Sequence, residues 1–184
     1  MAPTSAIPTF YYVLFGIYEP LLTLTGFLGA LADPKKTHDG QAPWPQFPPP
    51  EALPLASQVT VLQLAHVCAL IGVINAFVLH ACKHHLSFSP PLQEKIVRSL
   101  LAPLLIGDFL HVLITLWALG DRKWDVWSWS PLLWTTLLLG LTLLVPRAMW
   151  HLGIWRYVHT RDAGKINIAA GVPSDRGVSQ VKTE

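Results

Sequence analysis

The sequence has little charge and almost no cysteine. Only 13% of its 184 residues are charged, and the formal net charge is +2. Such a chain has no basic stripe of the kind that binds phosphate backbones, so we expect no nucleic-acid partner. The two cysteines, Cys68 and Cys82, lie roughly 20 Å apart along one predicted helix, which is too far for a disulfide between them.

Motifs for cofactors and for activated nucleophiles are also missing. The sequence has no phosphate-binding glycine loop, no dinucleotide fingerprint and no nucleophile elbow. His80, Cys82, His84 and His85 resemble a metal cluster by composition only, because they straddle the end of a predicted helix, whereas zinc needs several ligands on a defined scaffold. We therefore predict neither a metal nor a cofactor.

Apolar residues, in contrast, make up 52% of the chain and give it a mean hydropathy of +0.41. A helix needs about 20 such residues to cross the hydrocarbon of a bilayer. Four stretches have this length: residues 7–31, 59–82, 96–119 and 129–150. The sequence therefore predicts an all-α fold, an integral membrane four-helix bundle that forms one domain over residues 1–159 and has the lipid bilayer around it.

The connections between these stretches are polar or rich in proline. Seven prolines between residues 32 and 57 predict an irregular loop outside the membrane, without helix or strand. Residues 160–184 are polar and predict a disordered tail. Lys and Arg near the span ends favour the side of the second loop and the tail, so we expect a multi-pass protein with both termini in the cytosol. The endoplasmic reticulum is the membrane that we expect.

Two carboxylic acids stand in the middle of predicted spans, Glu19 in the first and Asp108 in the third. An acid at the bilayer centre costs about 2.5 to 3.5 kcal/mol on insertion scales, so it normally faces the bundle interior and marks a function or a buried partner. Pro20 removes a backbone donor beside Glu19 and predicts a kink that makes room for a cavity. We therefore predict that both acids face one pocket.

Further polar and aromatic side chains can reach this pocket or its entrance. His111 lies one turn from Asp108 on the same face, and Tyr12 shares an inward stripe with Glu19 and Gly26. The predicted catalytic residues are Glu19, Asp108 and His111, and the predicted substrate-binding residues are Tyr12, Tyr18, His66, Asp125 and Trp127. The alternative is that buried acids and histidines only hold the helices together.

Two further groups have a simpler interpretation as membrane-interface residues. Arg147 and His151, near the end of the fourth predicted span, are expected to extend toward the headgroups. Trp124, Trp127 and Trp129 are typical of an interfacial aromatic belt.

Three short motifs of this chain resemble those of a family of small fungal four-helix membrane proteins. They are Tyr18-Glu19-Pro20, Gly107-Asp108 with His111, and Trp124-Asp125 with Trp127, and the resemblance covers residues 7–153. The resemblance implies a place in fungal secondary metabolism, because some members belong to polyketide or meroterpenoid pathways in which small membrane proteins open or cyclise epoxides. A more distant likeness, without a residue-by-residue match, is to the emopamil-binding sterol isomerases.

The residues and the resemblance together predict an enzyme that opens an epoxide on a lipophilic polyketide or terpenoid, by hydrolysis or by cyclisation. Asp108, held by His111, is the predicted base and Glu19 the predicted acid, although a coupled pair of carboxyl groups can exchange these roles. A double-bond isomerase acting on a sterol or terpenoid would use the same residues. A non-enzymatic membrane scaffold or accessory subunit is the third possibility, and the oligomeric state stays open.

Overall fold

The structure is a computed structural model that describes residues 5–44 and 49–159. Within these residues the regular elements are all helices. Four of them are long and apolar enough to cross a membrane, and we call them the first to fourth spans: Thr9–Ala32, Leu55–His85, Pro90–Ala118 and Pro131–Leu152. The predicted all-α four-span bundle is confirmed, whereas the predicted disordered tail, residues 160–184, lies outside the described residues.

The second and third spans begin before the apolar stretches from which they were predicted. The second span begins at Leu55 rather than at residue 59, and the third begins at Pro90 rather than at residue 96. Pro54 precedes the one helix and Pro90 opens the other. Proline suits these positions because the first N–H groups of a helix have no partner within it. Hydropathy does not detect such polar first turns.

A short helix lies in the proline-rich loop, where we expected no helix. This cap helix, Pro34–Asp39, begins after Asp33, whose Oδ1 accepts a hydrogen bond from the backbone N–H of Lys36 at 2.8 Å. The expectation was wrong because a proline at the first helical position stabilises a helix rather than breaking it. Two 3₁₀ helices, Gly120–Trp124 and Val126–Ser128, form the other connection at this end of the bundle.

The first span changes its helix type just before Glu19. Thr9–Val13 and Glu19–Ala32 are α-helical, but Leu14–Tyr18 form a π-helical turn. Pro20 favours this irregularity because it lacks the N–H that would bond to the carbonyl of Gly16. A π turn holds more residues than an α turn. The residues before it are therefore rotated about the helix axis, compared with their positions in a regular α-helix.

As a result, the buried face of the first span differs from the predicted one. Up to Pro20 the buried residues of this span are Tyr11, Phe15, Glu19 and Pro20, the first three at intervals of four. Tyr12 is only half-buried and packs against the core, whereas Gly26 is exposed, so the inward stripe drawn at regular α-helical spacing was wrong at Gly26. Glu19 itself is buried, as expected for an acid in a membrane span.

All four spans share a core in the half of the bundle that contains the start of the first span and the end of the fourth. We call this the terminal half. Its buried apolar residues come from the segment around the first span and from every other span: Ile7, Tyr11, Phe15, Leu79, Cys82, Val97, Leu101 and Trp150.

The opposite half, which we call the capped half, is organised as two helix pairs. The first span packs mainly on the second, and the third mainly on the fourth. Gly72 permits the first of these contacts, because a Cβ atom there would lie 2.2 Å from Oγ1 of Thr23. The other described core cluster, Leu119, Leu133 and Leu137, lies between the end of the third span and the start of the fourth.

The loops at the capped end join the two pairs. The Ser130 hydroxyl, at the start of the fourth span, donates to the carbonyl of Gly40, which follows the cap helix. Arg122 Nη1 donates to the carbonyl of Trp44 at 3.1 Å. The two pairs are therefore connected by a shared core at one end and by polar loop contacts at the other.

Candidate functional site

Glu19, Asn75, Asp108 and Arg147 form a polar cluster to which each span contributes one residue; we call it the four-span cluster. Arg147 lies between the acids, with Nη2 donating to Glu19 Oε1 and Nη1 donating to Asp108 Oδ2. Asn75 Nδ2 donates to Glu19 Oε2 at 2.8 Å and to the carbonyl of Phe15 at 3.1 Å. The acids that the sequence singled out therefore meet through an arginine.

Arg147 reaches these acids because of the direction in which helical side chains point. It stands five residues before Leu152, the last residue of the fourth span. The Cα–Cβ bond of a helical residue tilts toward the helix N-terminus, which in this span is the direction of the bundle centre. The prediction that Arg147 extends to the membrane interface was wrong, since its side chain is 1% exposed.

The cluster is more accessible at Asp108 than at Glu19. The Asp108 side chain is 18% exposed, against 6% for Glu19. Gly107, next to Asp108, has open space where a side chain would be, and His111, one turn further along, is exposed. A molecule that approaches the cluster from the third span therefore meets Asp108 first.

The cluster contains two acids and one permanent cation. A guanidinium keeps its charge in proteins, so two ionised acids would leave one net negative charge inside the bundle. Such a charge is unfavourable among apolar helices. One proton on either acid makes the cluster neutral, and it then contains a proton donor and a proton acceptor on the two sides of one arginine. This is the combination that general acid–base chemistry requires.

His111 is not hydrogen-bonded to Asp108 in the described part of the chain. Arg147 occupies the position beside Asp108 that we had assigned to His111. The exposed His111 imidazole lies one helical turn from Asp108. It is also near the fourth span, since a Cβ atom at Gly140 would lie 3.9 Å from His111 Cδ2. Its catalytic role stays a prediction.

The two predicted tyrosines bond to groups outside the cluster. The Tyr12 hydroxyl lies 3.2 Å from Nδ1 of His80, toward the end of the second span. The Tyr18 hydroxyl lies 3.1 Å from Oγ1 of Thr142 and so links the first span to the fourth, one residue before Glu19. Tyr18 is the closer of the two to the cluster in sequence, because the next residue is Glu19.

The remaining predicted binding residues lie in the capped half. The exposed His66 ring packs against Phe27, with 5.8 Å between ring centroids. Asp125 lines an open cleft of about 900 Å³ among the loops, together with Arg122. Trp127 is 96% exposed, as expected for an interfacial tryptophan. The structure does not bring these three residues to Glu19 and Asp108, and their substrate-binding roles stay predictions.

Sequence reasoning missed Asn75 and Arg147, although each had a signal. Arg147 continues the buried stripe of the fourth span, with Leu143 four residues before it and Trp150 three after it. Asn75 follows Gly72 by three residues, and a small residue often marks the face on which membrane helices meet. A polar residue on either face is in a position to pair with a midplane acid.

The histidines near the end of the second span were also weighed as a metal site. Within the described ranges, no group of three or more His, Cys, Asp or Glu side chains could hold a metal ion. The rings of His80 and His84 lie 4.3 Å apart, between centroids, and His80 is the residue that bonds to Tyr12.

Comparison with known proteins shows a family match. A family model described as "Domain of unknown function (DUF7704)" matches residues 4–157, which include all four spans and every residue of the four-span cluster. No curated protein and no solved structure matches the chain.

Proposed function

Since the chain belongs to the DUF7704 family, whose description states no activity, we propose its function from the four-span cluster: a membrane-embedded acid–base enzyme that opens an epoxide on a lipophilic molecule. The observation that carries this proposal is the position of Arg147 between Glu19 and Asp108, within four apolar spans. The resemblance in its motifs leads us to propose a fungal polyketide or terpenoid as the substrate, and the endoplasmic reticulum, with cytosolic termini, as the location.

Opening an epoxide requires two proton movements. The ring oxygen must gain a proton as its C–O bond breaks, and the attacking water must lose one as its oxygen bonds to carbon. The protonated acid of the cluster supplies the first proton and the ionised acid accepts the second. The product is a diol, heavier than the epoxide by one water. An internal hydroxyl can replace water as the nucleophile, and the product is then a cyclic ether of unchanged mass.

The cluster suits this reaction because its total charge stays constant. Glu19 and Asp108 exchange protonation states during ring opening, and Arg147 contacts both, so it stabilises whichever one is ionised. No net charge has to appear inside the bundle, where a new charge would raise the barrier. The proposed chemistry requires neither a metal nor a redox cofactor.

An apolar groove between the third and fourth spans supports a lipophilic substrate. It has a volume of about 660 Å³, and its lining includes Leu105 and Phe109, three residues before and one residue after Asp108 along the third span, with Leu144 and Ala148 from the fourth. The groove lies between the two spans that carry Asp108 and Arg147, although neither of these residues is part of its lining. His111 and Tyr18 are the remaining candidates for orienting the substrate.

The test uses the purified full chain in lipid nanodiscs and 1,2-epoxyhexadecane as a probe, together with long-chain internal and prenyl epoxides. We expect a product heavier by one water from the wild-type protein. Glu19→Gln and Asp108→Asn should each lower the rate by about a hundredfold or more, because each removes one of the two proton movements. Asp121→Asn changes an exposed acid in the 3₁₀ connection and is the matched control.

Other outcomes would select one of the alternatives. Equal rates from wild type and both variants would rule out acid–base catalysis by the cluster. The four residues would then serve to hold the spans together, as in a scaffold or accessory subunit. A product of unchanged mass would instead indicate cyclisation or, if a double bond has moved, an isomerase.

A further inference from the structure

Two buried atoms of the four-span cluster have no hydrogen-bond partner among the described residues. They are Oδ1 of Asn75, an acceptor, and Nε of Arg147, a donor. Asn75 is 0% exposed and Arg147 is 1% exposed. An unpaired donor or acceptor in an apolar interior is unfavourable and is uncommon in native proteins. One of each kind in the same cluster indicates a place for a small molecule that both donates and accepts.

The orientation of the Asn75 amide is set by its other contacts. Its Nδ2 donates to two acceptors, the carboxylate of Glu19 and the carbonyl of Phe15. Since an amide oxygen cannot donate, Oδ1 must be the atom that is left over. The unpaired acceptor therefore follows from the two bonds that Nδ2 makes.

Both unpaired atoms belong to groups that hold Glu19. Asn75 bonds to Oε2 of Glu19, and Arg147 bonds to Oε1 of Glu19 through Nη2. The Nε–H and Nη2–H groups of a guanidinium lie on one edge of its plane, and Asp108 is bonded to the third nitrogen, Nη1. The unpaired donor and acceptor are thus associated with Glu19 rather than with Asp108.

We propose that the cluster holds a water molecule which accepts a hydrogen bond from Arg147 Nε and donates one to Asn75 Oδ1, and that this water is the nucleophile deprotonated by Glu19. This inference rests on the proposed function of the same site. It makes Glu19 the general base, Asp108 the general acid and Asn75 a positioning residue. The assignment of roles is the reverse of the one expected from the sequence.

The reaction step then balances as follows. Glu19 takes a proton from the water, the water oxygen bonds to one epoxide carbon, and the C–O bond to that carbon breaks. The released oxygen takes the proton of Asp108, which becomes the ionised acid. Asp108 suits this role because it is the more exposed of the two acids and can meet the epoxide oxygen of an incoming substrate. Return of one proton from Glu19 to Asp108 completes the cycle.

The first experiment measures how one substrate divides between two products. A long-chain 4,5-epoxy alcohol is opened by water to a triol or by its own hydroxyl to a tetrahydrofuran. Asn75→Leu should lower the ratio of triol to tetrahydrofuran by about tenfold or more, because only the triol needs the positioned water. Gln93→Leu removes a buried amide that bonds to Ala6 and Cys82 instead, and it should change the amounts of both products equally.

The second experiment does not depend on activity. Crystals of the wild-type chain grown in a lipidic mesophase, at a resolution that shows ordered water, should contain a water within hydrogen-bond distance of Asn75 Oδ1 and Arg147 Nε. Absence of density there, with both atoms bonded to protein groups, would overturn the water site. An unchanged product ratio in Asn75→Leu would overturn the role of this water as the nucleophile.

These results separate the inference from the proposed function. If the wild type opens no epoxide, the proposed function fails, while the density still decides whether the water is held. If the wild type opens epoxides but the ratio in Asn75→Leu equals the wild-type ratio, the proposed function stands and the inference fails.

Discussion

In the terminal half of the bundle, residues from all four spans pack into one core, whereas in the capped half the spans pack as two pairs that are joined by loops. The core cluster of the terminal half has eight buried apolar residues and that of the capped half has three. The terminal half also contains buried polar side chains that bond between spans, as expected in lipid, where burying apolar surface between helices yields little and packing and hydrogen bonds bring helices together.

The polar contacts of the terminal half go beyond the four-span cluster. Glu94 and Arg156 form an ion pair at 3.0 Å in which both side chains are fully buried. Gln93 donates to the carbonyl of Cys82 at 2.8 Å and accepts from the N–H of Ala6 at 2.8 Å. These bonds connect the N-terminal segment, the end of the second span, the start of the third and the segment that follows the fourth.

Among substitutions that test this difference between the two halves, Arg147→Met should lower stability the most. It leaves Glu19 and Asp108 without their cation, and breaking a buried ion pair in this way typically costs about 3 to 5 kcal/mol. Thermal unfolding in detergent, monitored by size-exclusion chromatography, should show a large loss of folded protein. Arg98→Met, at an exposed site of the third span, is the control.

A triple variant sharpens this result. Glu19→Gln and Asp108→Asn in the Arg147→Met background remove the unpaired charges, so most of the lost stability should return. If Arg147→Met alone were as stable as the wild type, the apolar core would hold the terminal half without the cluster.

A smaller loss of stability should distinguish the two core clusters. Leu79, in the shared core, is 0% exposed, and Leu133, in the core of the third and fourth spans, is 1% exposed. We expect Leu79→Ala to cost about 1 to 3 kcal/mol of unfolding free energy, mainly through the cavity it leaves, because lipid removes much of the transfer contribution. Leu133→Ala should cost less, since it disturbs one pair only. A larger loss for Leu133→Ala would contradict the description of the capped half as separate pairs.

The smallest expected effect concerns the cap helix. Hydrogen bonds from Lys35 and His38 hold the pKa of Asp39 below its ordinary value. The ionised carboxylate therefore stabilises the folded state above the unfolded pKa of about 4, and this contribution is lost as the pH falls through the lower folded-state pKa. Asp39→Asn should cost less than about 1 kcal/mol at neutral pH, because the pair is near the surface.

Melting temperatures at two pH values check this prediction. The difference between Asp39→Asn and the wild type should decrease as the pH is lowered through the folded-state pKa of Asp39, which lies below its ordinary value. Asp121→Asn, an exposed acid at the same end, is the control. A difference of the same size at both pH values would mean that the ion pair is not its cause.

Much of the fold was predictable because a bilayer sets the length of an apolar helix, and that length can be counted along the chain without knowing what a helix contacts. The meeting of Glu19 and Asp108 was predictable for a related reason, since an acid in lipid must face inward. Both predictions use only the surroundings of a single span.

Arg147 and Asn75 were not predicted because their roles depend on other helices. The same Arg147 could extend toward the headgroups or toward the acids, and only the tilt of its helix and the presence of partners decide between them. The π turn at Leu14–Tyr18 escaped for a similar reason, because regular spacing of 3.6 residues was assumed across it.

The π turn at Leu14–Tyr18 also determines how Tyr11 and Glu19 are aligned on the first span. Tyr11 is anchored through its hydroxyl to the carbonyl of Ile154 at 2.6 Å, and Glu19 follows eight residues later on the same buried face. In an unbroken α-helix those eight residues would leave the two side chains about 80° apart. Seven residues of a regular α-helix bring two side chains to nearly the same face, so the π turn absorbs the eighth residue and keeps the anchor and the acid aligned.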